Sequence, residues 1–417
     1  MEDNSPLPEK PFNERALLFT LAAIQFTTIV DFLIILPLGP QYMRVFGISP
    51  AQFGLIVSAY AISAGISGIG AGFFLDRFDR KPALLWLYAG FTLGTLFCSF
   101  ASNYHTLVIA RAVAGAFGGV VGGLILAIIG DVIPEKRRGA AMGLVMSSFS
   151  VASICGVPIG LVLATHLNWH VPFTVLAILS AIVLVAAIKT IPRLQSHLAH
   201  ARSEQLVQRM KTLLLNANHQ KAFLFMALMT CAGFLVFPYI SNYMVGNVGM
   251  TEKQLPIIYV VGGAFTIFTM NWIGRWADRA GKQRVFTIMS FLAAVPILLL
   301  TNLPPVALAI SVGVSTLLMI CMTGRMVPAM ALMTANVEAR YRGGFMSINA
   351  SVQQFASGIA AYVSGLILGQ NARGEITHYS IVGILSVFCT YTCIYLARFL
   401  KAPNRVPTAE VLLPIEM

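Results

Sequence analysis

The sequence predicts an all-α membrane protein with twelve transmembrane helices arranged as two parallel six-helix repeats. Three observations carry that prediction. Charged residues make up only 11% of the chain and hydrophobic ones 57%, whereas a soluble domain is about a quarter charged. Twelve apolar stretches are long enough, at about 1.5 Å per helical residue, to cross a hydrocarbon layer of about 30 Å. Residues of the first six stretches also recur in the second six at a nearly constant offset. Pro37, Tyr42 and Met43 return 201 residues later as Pro238, Tyr243 and Met244. Gly72, Asp76 and Arg77 return 202 later as Gly274, Asp278 and Arg279, and Arg138, Gly139 and Met142 return 204 later as Arg342, Gly343 and Met346. An even number of spans per half keeps both halves in one orientation, which makes the repeat parallel.

The first half, residues 1–189, holds spans at Ala16–Leu38, Phe53–Leu75, Ala83–Ala101, Thr106–Ile129, Gly139–Leu163 and Val171–Ile188. A polar linker, 190–220, follows; its Leu198, Leu206, Met210 and Leu213–Leu215 suit an amphipathic helix on the membrane surface or a loose connection. The second half, 221–400, holds spans at Phe223–Met244, Leu255–Ala277, Val285–Leu300, Val306–Ala335, Gly343–Leu368 and Tyr379–Phe399, and 401–417 is a tail. With the N-terminus placed in the cytoplasm, 23 of the 28 Lys and Arg fall on the cytoplasmic side or in the tails, and only Arg44, Lys253 and Arg373 face outward. The positive-inside rule then puts both termini in the cytoplasm, and a bacterial-type inner membrane is the expected location. The net charge of +12 therefore serves topology and anionic lipid head groups rather than nucleic acid. The six Cys all lie in spans without metal-ligand spacing, so they read as packing residues, and no metal is expected.

Of the 16 acidic residues, only Asp31 lies inside an apolar stretch. A carboxylate there costs about 2.5 kcal/mol or more to insert, so it is by default a functional residue. Only Arg111 and Arg325 among the basic residues lie comparably deep. Counting from the span ends puts Asp31 about 9 Å and Arg111 about 8 Å from the outer face. At one depth, a charge pair is the cheapest way to keep both in the membrane. A proton or a substrate would compete for that contact, so Asp31 and Arg111 are the candidate proton-coupling pair. Arg325, with Gln25, Asn242, Asn349, Gln353 and Gln354, is a candidate for the substrate cavity. Two Arg against one Asp suit a neutral, zwitterionic or anionic substrate better than a lipophilic cation.

The loop after span 2 reads Gly72-Phe-Phe-Leu-Asp76-Arg77-Phe-Asp79-Arg80, and that after span 8 reads Gly274-Arg-Trp-Ala-Asp278-Arg279-Ala-Gly281-Lys282. Both follow Gly-x-x-x-Asp-Arg-x-Gly-[Arg/Lys], with Asp79 standing where Gly is usual. This is the signature of the major facilitator superfamily, which the chain resembles from end to end. The resemblance implies a cytoplasmic gate built from Gly72, Asp76, Arg77, Arg80, Gly274, Asp278 and Arg279, with Asp131 at the end of span 4 completing it. Arg111-Ala-Val-Ala-Gly115 matches the family's Arg-x-x-x-Gly element. Gly156-Val-Pro158-Ile-Gly160 in span 5 is similar to the Gly-Pro-rich element of the drug:proton antiporter branch, and Trp169 with Pro172-Phe173 adds to a likeness to its sugar- and nucleoside-efflux members. The proline permits a bend, and the glycines are expected to let span 5 pack on the other half.

The resemblance implies a secondary transporter that exports a small organic molecule in exchange for protons by alternating access. The proton gradient would be its energy source, with no cofactor, and it would act as a monomer whose partners are substrate, protons and lipid. The rivals are a proton-independent or symporting carrier and a polyspecific drug exporter. An enzyme would need a constellation that one carboxylate and no intramembrane His do not supply. A receptor is disfavoured because no soluble domain is appended to the spans. No G-x-x-x-x-G-K-[ST] phosphate loop is present for ATP-driven transport.

Overall fold

The computed structural model describes residues 13–74, 78–192, 212–335, 337 and 342–400. The first half runs α1 (Glu14–Ile34), α2 (Gly39–Phe46), α3 (Pro50–Phe74), α4 (Arg80–Ser99), α5 (Tyr104–Val132), α6 (Glu135–Met146), α7 (Ser148–Val151), α8 (Val157–His166) and α9 (His170–Thr190). The second half runs α10 (Ala217–Val236), α11 (Ile240–Gly246), α12 (Leu255–Ala280), α13 (Lys282–Thr301), α14 (Leu308–Ala335), α15 (Arg342–Ile367) and α16 (Tyr379–Ala397). A short antiparallel hairpin, β1 (Gly369–Gln370) and β2 (Ile376–Thr377), links the last two helices. Among the described residues, eleven segments are both long and apolar enough to cross a membrane. The twelfth span is α15, whose 26 residues are long enough but are made more polar by Asn349, Gln353 and Gln354. The molecule is a twelve-helix membrane protein in two six-helix halves.

The first span of each half is broken at the same place, and the chain explains why. Pro37 and Pro40 end α1 short of the expected Leu38, and a separate helix, α2, begins with Pro40 in its first turn. In the repeat, Pro238 closes α10 in a 3₁₀ turn at Phe237–Tyr239 before α11 begins. A proline in a helix interior removes a hydrogen bond and clashes with the preceding turn, but suits the first turn of a new helix. Span 5 is interrupted too: a π-turn at Ala152–Gly156 precedes Pro158 at the start of α8.

Antiparallel connection puts both termini at one end of the bundle, the terminal end, and residues such as 39–50 and 246–255 at the far end. One apolar core crosses both halves at the far end, joining Ile35, Tyr42 and Phe53 to Leu235, Tyr239 and Tyr243. Toward the terminal end the cores are separate. Leu17, Phe91 and Ile128 belong to the first half's core, and Phe225, Phe286 and Phe345 to the second's. The halves are thus sealed at the far end and parted at the terminal end, where side chains added at Gly123 and Gly130 of α5 would meet open space. Along the sides, α3 packs on α15 and α8 on α12.

The far-end seal is specific. The Tyr239 hydroxyl lies 3.0 Å from the Pro50 and Ala361 carbonyl oxygens, tying three helices at one point. Arg44 and Glu252 form a bidentate ion pair across the halves. Asn242 donates to Met43 Sδ at 2.6 Å. This places Asn242 in the seal rather than in the substrate cavity where the sequence suggested it. The Pro238 break is the reason, because it assigns residue 242 to the separate helix α11.

Candidate functional site

Asp31 and Arg111 form a salt bridge of 2.8 Å, and both side chains are 0% exposed. The same Arg111 nitrogen also donates to the Asp31 backbone carbonyl at 3.1 Å. Thr95 of α4 donates to the other carboxylate oxygen at 3.0 Å. The Arg111 guanidinium carbon sits 4.3 Å from the centre of the Tyr60 ring, a cation–π distance. Nε and the second terminal nitrogen of Arg111 have no protein partner. Neither Thr95 nor Tyr60 stands out in the sequence, because a single Thr or Tyr in a span has many uses.

Local packing sets this geometry. Val30 and Ile34 of α1 press against Gly156 and Gly160, where a methyl group would collide with them. That face of α1 therefore lies on span 5, and Asp31, about 100° further round, turns to α4 and α5. The span 5 glycines thus pack on α1 of their own half. Span 5 does pack on the other half, but not through these glycines: α8 lies on α12, and Ile154 of the π-turn meets Gly263 there. On α5 a methyl group at Gly115 would lie 2.7 Å from the Tyr60 Cα. The close α3–α5 crossing this glycine permits brings the Tyr60 ring under Arg111.

Arg325 departs from its expected place. It is 2% exposed, and its guanidinium donates to Thr390 Oγ1 of α16 at 2.8 Å and to the Met229 carbonyl of α10 at 3.4 Å. It lies inside the second half rather than on the crevice between halves, and among the described residues no carboxylate pairs with it. Removing a buried cation that has no counter-ion relieves desolvation. Arg325→Leu is therefore expected to keep its melting temperature and to change substrate affinity less than threefold. A tenfold loss of affinity would return Arg325 to the transport path.

The remaining cavity candidates lie on α1 and α15. Gln25 is half-buried on α1, 3.5 Å from where a Gly122 side chain would begin. Gln353 and Gln354 are half-buried on α15, and Asn349 is 1% exposed. The side-chain oxygens of Asn349 and Gln354 have no partner.

Of the gate residues, Asp76 and Arg77 lie outside the described residues, as does most of the linker. Gly72 falls in the last turn of α3, and Gly274 lies within α12. Arg80 pairs with Asp131, joining the start of α4 to the end of α5 within one half. Asp278 and Arg279 are exposed at the end of α12. Asp79, where Gly is usual, caps α4 by accepting from the Lys81 N–H at φ −57°. Its counterpart Gly281 has φ +92°. The first loop thus replaces a left-handed glycine by an ordinary aspartate cap.

Comparison with known proteins places this architecture. The family model of the Major Facilitator Superfamily matches residues 21–361 and, in a second alignment, 222–413. The chain belongs to that superfamily and is a secondary transporter of small molecules, not an enzyme. It is 22% identical over 375 residues to the MFS-type transporter YbcL of Bacillus subtilis, covering 88% of this chain and 93% of that one. It is 23% identical to a Mannheimia succiniciproducens protein named "Probable sugar efflux transporter", over 60% of this chain and 61% of the relative. The crystal structure of a D-xylose–proton symporter superposes with a TM-score of 0.74 at 15% identity, over 93% of this chain and 98% of the other. That likeness concerns the fold.

Proposed function

We propose that the protein is a proton-coupled exporter of a small organic molecule, working by alternating access across a bacterial inner membrane with both termini in the cytoplasm. The observation that carries this reading is the sequestered Asp31–Arg111 pair, which holds the only acidic residue inside an apolar stretch of the sequence. A proton on Asp31 cancels its attraction for Arg111 and leaves the guanidinium with the Asp31 carbonyl and the Tyr60 ring. The next residue, Phe32, packs on Phe234 of the other half with ring centres 5.8 Å apart. A shift of α1 on protonation is thereby passed to the contact between halves, which is how a proton can bias the exchange of open ends.

Export is favoured over uptake by the Gly-x-Pro-x-Gly element of span 5 and by the name of the Mannheimia relative. In the proposed orientation, the crevice of this structure faces the cytoplasm, where an exporter loads. The gate motifs at that end would close it after loading. The test is flux in proteoliposomes preloaded with an identified substrate. Under an imposed pH gradient, substrate is expected to move against its own gradient, opposite to the protons, and an uncoupler should stop it. Movement that ignores the pH gradient would support the proton-independent carrier, and movement in the direction of the protons would support the symporter.

A further inference from the structure

The sequence placed three charges in the membrane, and the structure removes all three from the crevice. Asp31 and Arg111 neutralise each other inside the first half, and Arg325 is enclosed in the second. Every other charged residue of the described chain lies in a loop or within two turns of a helix end. Half-buried at mid-depth on α1 and α15 are the amides Gln25, Gln353 and Gln354. Gln25 on α1 and Gln354 on α15 lie eleven and twelve residues from the terminal ends of their helices, so both stand about 16–18 Å deep. Above them, about 26 Å deep, Phe32 closes on Phe234 across the halves. Phe355, next to Gln354, lays its ring over Gly65 of α3, with carbons about 3 Å from where a side chain would begin there.

Resting on the transporter reading above, we propose that the central crevice takes an uncharged, ring-bearing molecule whose hydroxyl or N–H groups donate to the free amide oxygen of Gln354. A buried acceptor without a partner is costly unless a ligand or water satisfies it. The Phe32–Phe234 contact that roofs the crevice favours a flat or CH-rich partner over a compact ion. A net charge carried to mid-membrane depth without a counter-ion would lose about a hundredfold in affinity. The neutral floor also separates two tasks: the substrate meets the amides and rings, and the proton meets Asp31 behind them.

The test uses the purified full-length protein and thermal-shift titration with matched probes on one scaffold: uridine, uridine 5′-monophosphate and 5′-amino-5′-deoxyuridine. A second series is phenyl glucoside, phenyl glucuronide and phenyl glucosaminide. In at least one series the neutral member is expected to stabilise the protein, and either charge to weaken binding about a hundredfold. Gln354→Leu should weaken the neutral probe at least tenfold with an unchanged melting temperature in the absence of probe. Arg325→Leu should alter it less than threefold. A charged member binding as tightly as its neutral counterpart would overturn the proposal, as would full affinity in Gln354→Leu. Binding is read without a proton gradient, so failure of coupling in the flux experiment and failure of this assignment are separate results.

Discussion

Proteoliposomes carrying Asp31→Asn are expected to equilibrate substrate but not to accumulate it: the ratio driven by a pH gradient falls to one. Asparagine keeps the size of the side chain and an oxygen for Thr95, so the fold around it need not change. It cannot exchange a proton, and it leaves Arg111 charged, fully buried and without its counter-ion. Breaking a buried pair by removing one partner costs about 3–5 kcal/mol. Here the Asp31 carbonyl and the Tyr60 face still hold the guanidinium, so a loss near 3 kcal/mol is expected. Replacing both members, as in Asp31→Asn with Arg111→Leu, should recover most of that stability while transport stays uncoupled. Unfolding free energies of the wild type, the two single variants and the double variant give the coupling energy. A pH-driven accumulation that survives in Asp31→Asn would remove Asp31 from the proton path.

Much of this site can be read from the chain, and the parts that cannot share one cause. Hydrophobic length and residue counting give position along the membrane normal, because each helical residue adds a fixed rise. That sufficed to bring Asp31 and Arg111 to one depth, where the structure joins them. Counting does not give rotation about the helix axis, which depends on packing partners far away in sequence. Arg325 illustrates the loss. Its neighbour Gly324 receives Ile273 of α12 and Met289 of α13, so the next residue is turned about 100° away, toward α10 and α16. Nothing local in Thr323-Gly324-Arg325 announces that contact. Span 5 repeats the lesson: Gly156 and Gly160 signal a close approach, but not whether the approaching helix is α1 or α12. The proline breaks at Pro37 and Pro238 are a middle case. Their presence is visible as a repeat, yet it does not put Asn242 in the seal, because the turn that moves it there is a three-dimensional event.

The largest conformational effect is expected at the far-end seal, from a side chain added where α3 crosses α15. A methyl group at Gly54 would lie 2.5 Å from the Tyr239 hydroxyl and 2.8 Å from the Ala361 carbonyl oxygen. One at Gly365 would lie 2.7 Å from the Pro50 carbonyl oxygen and 3.0 Å from the Ala51 Cα. Most of these are backbone atoms, which cannot step aside as a flexible side chain can. Overpacking of this kind costs about 1–3 kcal/mol, and the bundle can escape it only by parting the halves. Each half retains its own core at the terminal end, so the fold survives while the balance shifts. Gly54→Val and Gly365→Val are therefore expected to move the population toward a form open at the far end by about tenfold to a hundredfold. Spin labels on the segments 44–49 and 247–252 would report longer distances across that mouth. Tyr239→Phe, which removes only the hydroxyl linking Pro50 and Ala361, should shift it in the same direction by less. Unchanged distances in both valine variants would mean that the seal is held elsewhere, and that the α3–α15 crossing acts as a pivot rather than as a gate.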